Sequence, residues 1–100
     1  MEAQDAQTAY NGIVANINKQ GGLYSEWYCG ITSDLESRLF GDHKVPRGDY
    51  WRSFRKCHND TDARAVEAAL VKLGCDGGGG GGDRTTVYVY AYLKTAVTDP

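Results

Sequence analysis

The chain has 100 residues, a formal net charge of −2 and 41% hydrophobic residues. That is enough for one domain with one modest core and excludes a second subdomain. Proteins that grip nucleic acid through many phosphates carry a basic excess, because counterion release drives that binding. The balance here argues against tight, sequence-independent DNA binding by this chain alone. Any nucleic-acid surface must be local, and the dense basic stretch is Lys44, Arg47, Arg52, Arg55 and Lys56.

In chain order, Ala6, Tyr10, Ile13, Val14 and Ile17 fall at helical spacing on one face and predict an amphipathic helix, which Gly21-Gly22 ends. Trp27-Tyr28-Cys29-Gly30-Ile31-Thr32 is aromatic and β-branched and predicts a strand. Ser33-Asp34-Leu35-Glu36 has the capping-box pattern, with Ser33 and Glu36 each bonding the other's backbone. The helix it starts turns Leu35 and Leu39 inward, sets Arg38 and Asp42 one turn apart and ends near Asp42 or His43. Pro46 and Gly48 make Lys44 to Gly48 a loop. Tyr50 to Cys57 alternates as a second strand, with Tyr50, Arg52, Phe54 and Lys56 on one side.

Asn59-Asp60-Thr61-Asp62 offers several helix caps. The helix from Asp62 to about Leu73 buries Ala63, Val66, Leu70 and Leu73, with Gly74 as its C-cap. The glycine run 77–82 reads either as a flexible connector or as a loop of bare amides for an anion, flanked by Asp76, Asp83 and Arg84. It lacks the Lys-Ser/Thr ending of a P-loop. Thr85 to Lys94 is the strongest strand, and Tyr88, Tyr90 and Tyr92 project from one of its faces. The expected architecture is a single α+β domain, residues 1–100, with a small three-stranded antiparallel sheet flanked by three helices.

Cys29, Cys57 and Cys75 are odd in number and widely spaced, which favours free thiols and a reducing, cytoplasmic compartment. No CxxC or HxxxH pair supports a zinc site. The opening residues have no basic n-region or apolar h-region, so no signal peptide is expected. No apolar run approaches the roughly 20 residues needed to span a bilayer, so no membrane partner is expected.

The segment Tyr28-Cys29-Gly30-Ile31-Thr32-Ser33-Asp34-Leu35-Glu36-Ser37-Arg38-Leu39, with His43 four residues on, carries most chemistry. It resembles the second half of the signature of the GIY-YIG nucleases. Tyr28, Gly30, Thr32, Leu35, Arg38, Leu39 and His43 are in register, and Glu67 falls on a helix like that bearing the family's metal-binding glutamate. The resemblance covers about residues 27–73 and implies magnesium-dependent phosphodiester hydrolysis in DNA or RNA. It implies Tyr28 as water-side base or relay, Arg38 as phosphate clamp, Glu67 as magnesium ligand and His43 as an auxiliary proton or phosphate contact. Gly30, Thr32, Arg52, Arg84 and Tyr88 are the substrate-side candidates.

The family's first strand has no counterpart at the right spacing, since Gly22-Leu23-Tyr24 lies too close to Tyr28 for a hairpin. The strand Val87–Leu93 is the unused candidate, as if the fold were permuted, with Tyr90, Tyr88 or Tyr92 replacing the lost tyrosine. Each residue also has a plainer role. Tyr28 can be a sheet-surface aromatic, and Arg38 a partner for Asp34 or Asp42. Glu67 flanks an apolar stripe, and His43 suits a helix C-terminus. Two alternatives to the nuclease therefore stand: a non-catalytic module binding a nucleotide or short nucleic acid, and a protein-interaction domain. The low basic charge further implies a protein partner that supplies substrate affinity.

Overall fold

A computed structural model describes residues 1–47, 51–77 and 82–100. Tyr50, expected on the second strand, Gly48 of the loop before it and residues 78–81 of the glycine run lie outside these.

Helix α1 (Ala6–Gln20) starts where the Asp5 carboxylate accepts from Thr8 N at 2.7 Å and ends at Gly21, whose φ of 92° suits a residue without a Cβ. Its stripe centres on Ala9, Ile13 and Ile17, all buried, with Tyr10 and Val14 at the margins. A single turn, Tyr24–Glu26, leads into strand β1 (Trp27–Thr32). A short helix of wide turns, Glu36–Asp42, follows. Strand β2 is Arg52–Lys56, helix α2 is Asp60–Leu73, strand β3 is Asp76–Gly77 and strand β4 is Tyr88–Leu93. Asn59 caps α2 by accepting from Asp62 N at 2.8 Å. Gly74, at φ 131°, closes it, and Leu73 is half-buried rather than buried as expected.

The sheet corrects one expectation. It has four strands in the order β2-β4-β1-β3 and is mixed, not a three-stranded antiparallel sheet. The extra strand is two residues that emerge from α2 parallel to β1, pairing Tyr28 with Asp76 and Cys29 with Gly77. A strand so short leaves no alternation to read. β4 pairs antiparallel with all of β1, from Trp27 with Leu93 to Thr32 with Tyr88, and with β2 on its other side. The last strand is therefore central, which explains why it is the most apolar.

Both sheet faces are covered. Trp27, Cys29, Ile31, Val89 and Ala91 form one buried cluster with Ile13, Ile17, Val66 and Leu70 of the two long helices. Tyr90, Tyr92, Leu39 and Val45 form a second on the opposite face, with Tyr28, Leu35, Phe40 and Phe54 against it. Cys29, Cys57 and Cys75 are free and buried. Among the described residues no helix is long and apolar enough to cross a membrane.

Candidate functional site

The second cluster is built by the turn that follows β1. Thr32 ends the strand with its hydroxyl accepting from Asp34 N at 3.0 Å. Asp34 then accepts from Ser37 N at 3.2 Å and from the Ser37 hydroxyl at 3.0 Å. These bonds replace the expected Ser33–Glu36 box, because Glu36 is drawn away to pair with Arg47. Ser37's bonds hold the Asp34 carboxyl below its ordinary range.

The helix is wound wide. His43 N donates to Arg38 O at 2.9 Å, five residues back, a geometry that recurs at functional sites. Val45 N reaches Leu39 O at 2.9 Å, and Lys44 between them has φ 56°. This left-handed residue lets His43 and Val45 both turn inward while Lys44 stays exposed.

His43 is 5% exposed. Its Nδ1 lies 2.8 Å from the Asp99 carbonyl, which can only accept, so Nδ1 carries a proton. Asp99 N donates back to His43 O at 2.7 Å, after a turn between Thr95 and Thr98 folds the tail over the helix end. The Tyr92 hydroxyl oxygen, 3.1 Å from Nδ1, is a second acceptor for the same proton. In the neutral ring Nε2 is then the acceptor, and the Tyr90 hydroxyl donates to it at 2.7 Å. Fixing one ring nitrogen on a backbone carbonyl in this way orients the other as a base.

Tyrosine rings surround the imidazole. Tyr28 lies 5.0 Å and Tyr92 5.1 Å from it between centroids, and Tyr90 and Tyr92 stack in parallel at 6.4 Å. Gly30 makes room: a Cβ there would sit 2.4 Å from the Tyr90 hydroxyl. The space over Gly30 is thus filled by Tyr90. Burial pushes the Tyr90 phenol well up; Tyr28 adds to this, Arg38 opposes it, and Tyr92 and Glu67 raise it further. Tyr92 is raised by burial first and then by Tyr28, Asp99 and Asp76.

The remaining candidates fall in different places. Arg38 is 46% exposed and pairs with Asp42 at 3.7 Å, the plainer of its two expected roles, yet its charge reaches Tyr90. Glu67 belongs to α2, on the opposite face of the sheet, and acts on both Cys29 and Tyr90 through its field. Burial raises its carboxyl above the usual range, with Arg64 opposing. Thr32 is buried with its hydroxyl engaged in the turn. Tyr88 is half-buried, with Lys56 Nζ 6.0 Å from its ring. Arg84 is exposed ahead of β4.

Strand alternation splits the basic stretch. Arg52 reaches the Phe40 ring at 5.3 Å, whereas Arg55 turns to the helical face and donates to Asn16 at 2.9 Å. Among the described residues no three His, Cys, Asp or Glu groups converge for a metal. Glu67, the magnesium ligand that the resemblance implies, is a single half-buried carboxylate, a donor of the kind magnesium takes while keeping most of its waters.

Asp99 is the partner that sequence reasoning missed. It lies 56 residues from His43 and acts through backbone atoms, so no side-chain signal could have found it. Comparison with family models, with curated proteins and with solved structures finds no match.

Proposed function

We propose that the chain is a metal-dependent endonuclease of the GIY-YIG type, hydrolysing phosphodiester bonds in DNA or RNA. The observation that carries this reading is the Tyr90–His43 pair. A phenol donates at 2.7 Å to an imidazole nitrogen whose partner nitrogen is pinned by a backbone carbonyl, within the fields of Arg38 and Glu67. β4, which supplies Tyr90, takes the place of the strand that the motif lacks.

In the proposed reaction the cluster opens so that an attacking water reaches the Tyr90 oxygen, 2% exposed when closed, and gives it a proton as Tyr90 passes its own to His43 Nε2. The water oxygen bonds to phosphorus, the bond from phosphorus to the leaving oxygen breaks, that oxygen takes a proton from solvent, and the extra proton on His43 returns to solvent through Tyr90. The concerted transfer matters because burial makes a free Tyr90 phenolate costly. The Asp99 carbonyl then stabilises the imidazolium. Arg38 would exchange its exposed partner Asp42 for phosphate oxygens, for which a guanidinium fork is suited. Glu67, the expected magnesium ligand, stands across the sheet from this phosphate, so no step of the reaction is assigned to a metal held there. Tyr28, half-buried, is the water-side phenol of the cluster.

One observation favours a second reading. Tyr90 is 2% and His43 5% exposed, as suits a packed polar core beneath a non-catalytic module that binds a nucleotide. An assay on plasmid DNA and single-stranded RNA, with magnesium, manganese or EDTA, separates the two. Metal-dependent cutting lost in Tyr90→Phe, Arg38→Ala and Glu67→Ala supports the nuclease. Intact substrate with all metals, together with stabilisation by a nucleotide that Arg38→Ala abolishes, supports the binder.

A further inference from the structure

The outer side of the short helix holds a largely open hollow of about 430 Å³. Phe40, Lys44 and Arg47 line it, with Ser37 and Glu36 at one side. Val45 belongs both to its wall and to the buried tyrosine cluster, and Phe40, also in the wall, packs against that cluster, so the cavity adjoins it. In a chain with a net charge of −2, the lining carries two cations against one carboxylate. Arg52 adds a third cation beside Phe40.

We propose that this cavity is a binding site for single-stranded nucleic acid, one base stacking on Phe40 and the adjoining phosphate taken by Arg47 and Lys44. This deepens the nuclease reading and rests on it for the identity of the substrate.

Three features support that ligand. Guanidinium groups already lie over the Phe40 ring, Arg47 at 4.4 Å and Arg52 at 5.3 Å from its centroid, so a base stacks there by displacing exposed Arg47, which then stands beside the adjoining phosphate. Lys44 is the sole non-glycine residue with positive φ among the described residues, and it is held there from both sides. His43 O accepts from Asp99 N, and Val45 N donates to Leu39 O. Lys44, so held, is one of the residues that line the cavity, and strained backbone positions cluster at ligand sites. Arg47 is paired with Glu36 across the cavity side, and that bond raises the guanidinium's proton affinity. Both groups are exposed, so a phosphate can displace the carboxylate at small cost. A single strand is favoured over a duplex because stacking on Phe40 needs an unpaired base.

Fluorescence anisotropy with labelled twelve-residue oligo-dT, in EDTA so that no cutting intervenes, tests the site. A duplex of the same length is the comparison. The expected result is tighter binding of the single strand, weakened about 10-fold by Phe40→Leu and by Arg47→Ala. The salt dependence of log K should fall by about 0.7 when the Arg47 contact is lost. Glu36→Gln, which frees Arg47, should tighten binding about threefold, a gain that simple misfolding cannot produce. Binding of both variants within twofold of wild type, or equal binding of the duplex, overturns the site. Binding in EDTA without cutting in any metal sinks the nuclease and leaves the site standing. Normal cutting of single strands by both variants leaves the nuclease and sinks the site.

Discussion

The two faces of the sheet differ in kind. The face under α1 and α2 is packed with Trp27, Cys29, Ile31, Val89 and Ala91, and its stability follows from apolar area removed from water. The face under the short helix buries His43, Tyr90 and Tyr92, whose polar atoms must find partners or cost free energy. One face tolerates approximate packing, whereas the other depends on a chain of three hydrogen bonds to His43. The lesson is that the same strands, β1 and β4, can serve a generic core with one set of alternate residues and a specific polar arrangement with the other.

Substitutions on each face can break that contrast. Trp27→Ala should cost about 3–5 kcal/mol by urea denaturation, because the ring is fully buried among the helices. A loss under 1 kcal/mol would mean the helical face is not the principal core. On the other face, Gly30→Ala forces the Tyr90 hydroxyl away from a new Cβ and should cost about 1–3 kcal/mol. It should also move the His43 imidazole resonances in NMR, which a mere cavity change would leave in place. Tyr90→Phe removes one hydroxyl and leaves His43 Nε2 without its donor, a stability loss of about 1–3 kcal/mol. Unchanged stability there would show that the bond to His43 contributes nothing.

Glu67 sharpens the comparison through pH. Its folded carboxyl is raised by burial, so its contribution is present below the unfolded pKa and is lost as pH rises through the folded one. Glu67→Gln should therefore raise the melting temperature at neutral pH, with the gain vanishing in acid. Magnesium should narrow the gap by stabilising only the wild type. The smallest effect belongs to Arg38–Asp42: Asp42→Ala should change stability by less than about 0.5 kcal/mol, since both side chains are largely exposed. A larger loss in a melting experiment would show that Asp42 holds the helix rather than merely pairing across it.

Helices α1 and α2 and strands β1 and β4 were legible because each is written in a local repeat. The spacing of Ile13 and Ile17, the Asn59 cap and the valine–tyrosine alternation require no knowledge of distant residues. The motif register led to His43 and Tyr28, and the missing first strand to Tyr88, Tyr90 or Tyr92; the fold gathers Tyr28, His43, Tyr90 and Tyr92 in one aromatic cluster. The roles that the resemblance implies for Arg38 and Glu67 need one shared site, but the two residues stand on opposite faces of the sheet. The wide winding of Glu36–Asp42 was not legible, because Leu35 and Leu39 suit an ordinary helix equally well. Nor was the Asp34 cap, since Ser33 and Glu36 satisfy the pattern on paper until Arg47 claims Glu36.

The order of residues by itself determined where the chain coils, where it extends and which tyrosines share a side, because those are properties of neighbours a few bonds apart. The tertiary structure alone decided that the last strand lies at the centre. It also decided that a two-residue segment joins the sheet edge and that the Asp99 backbone selects the proton-bearing nitrogen of His43. Those outcomes depend on contacts between groups far apart along the chain, whose energies exist only once the whole domain has closed.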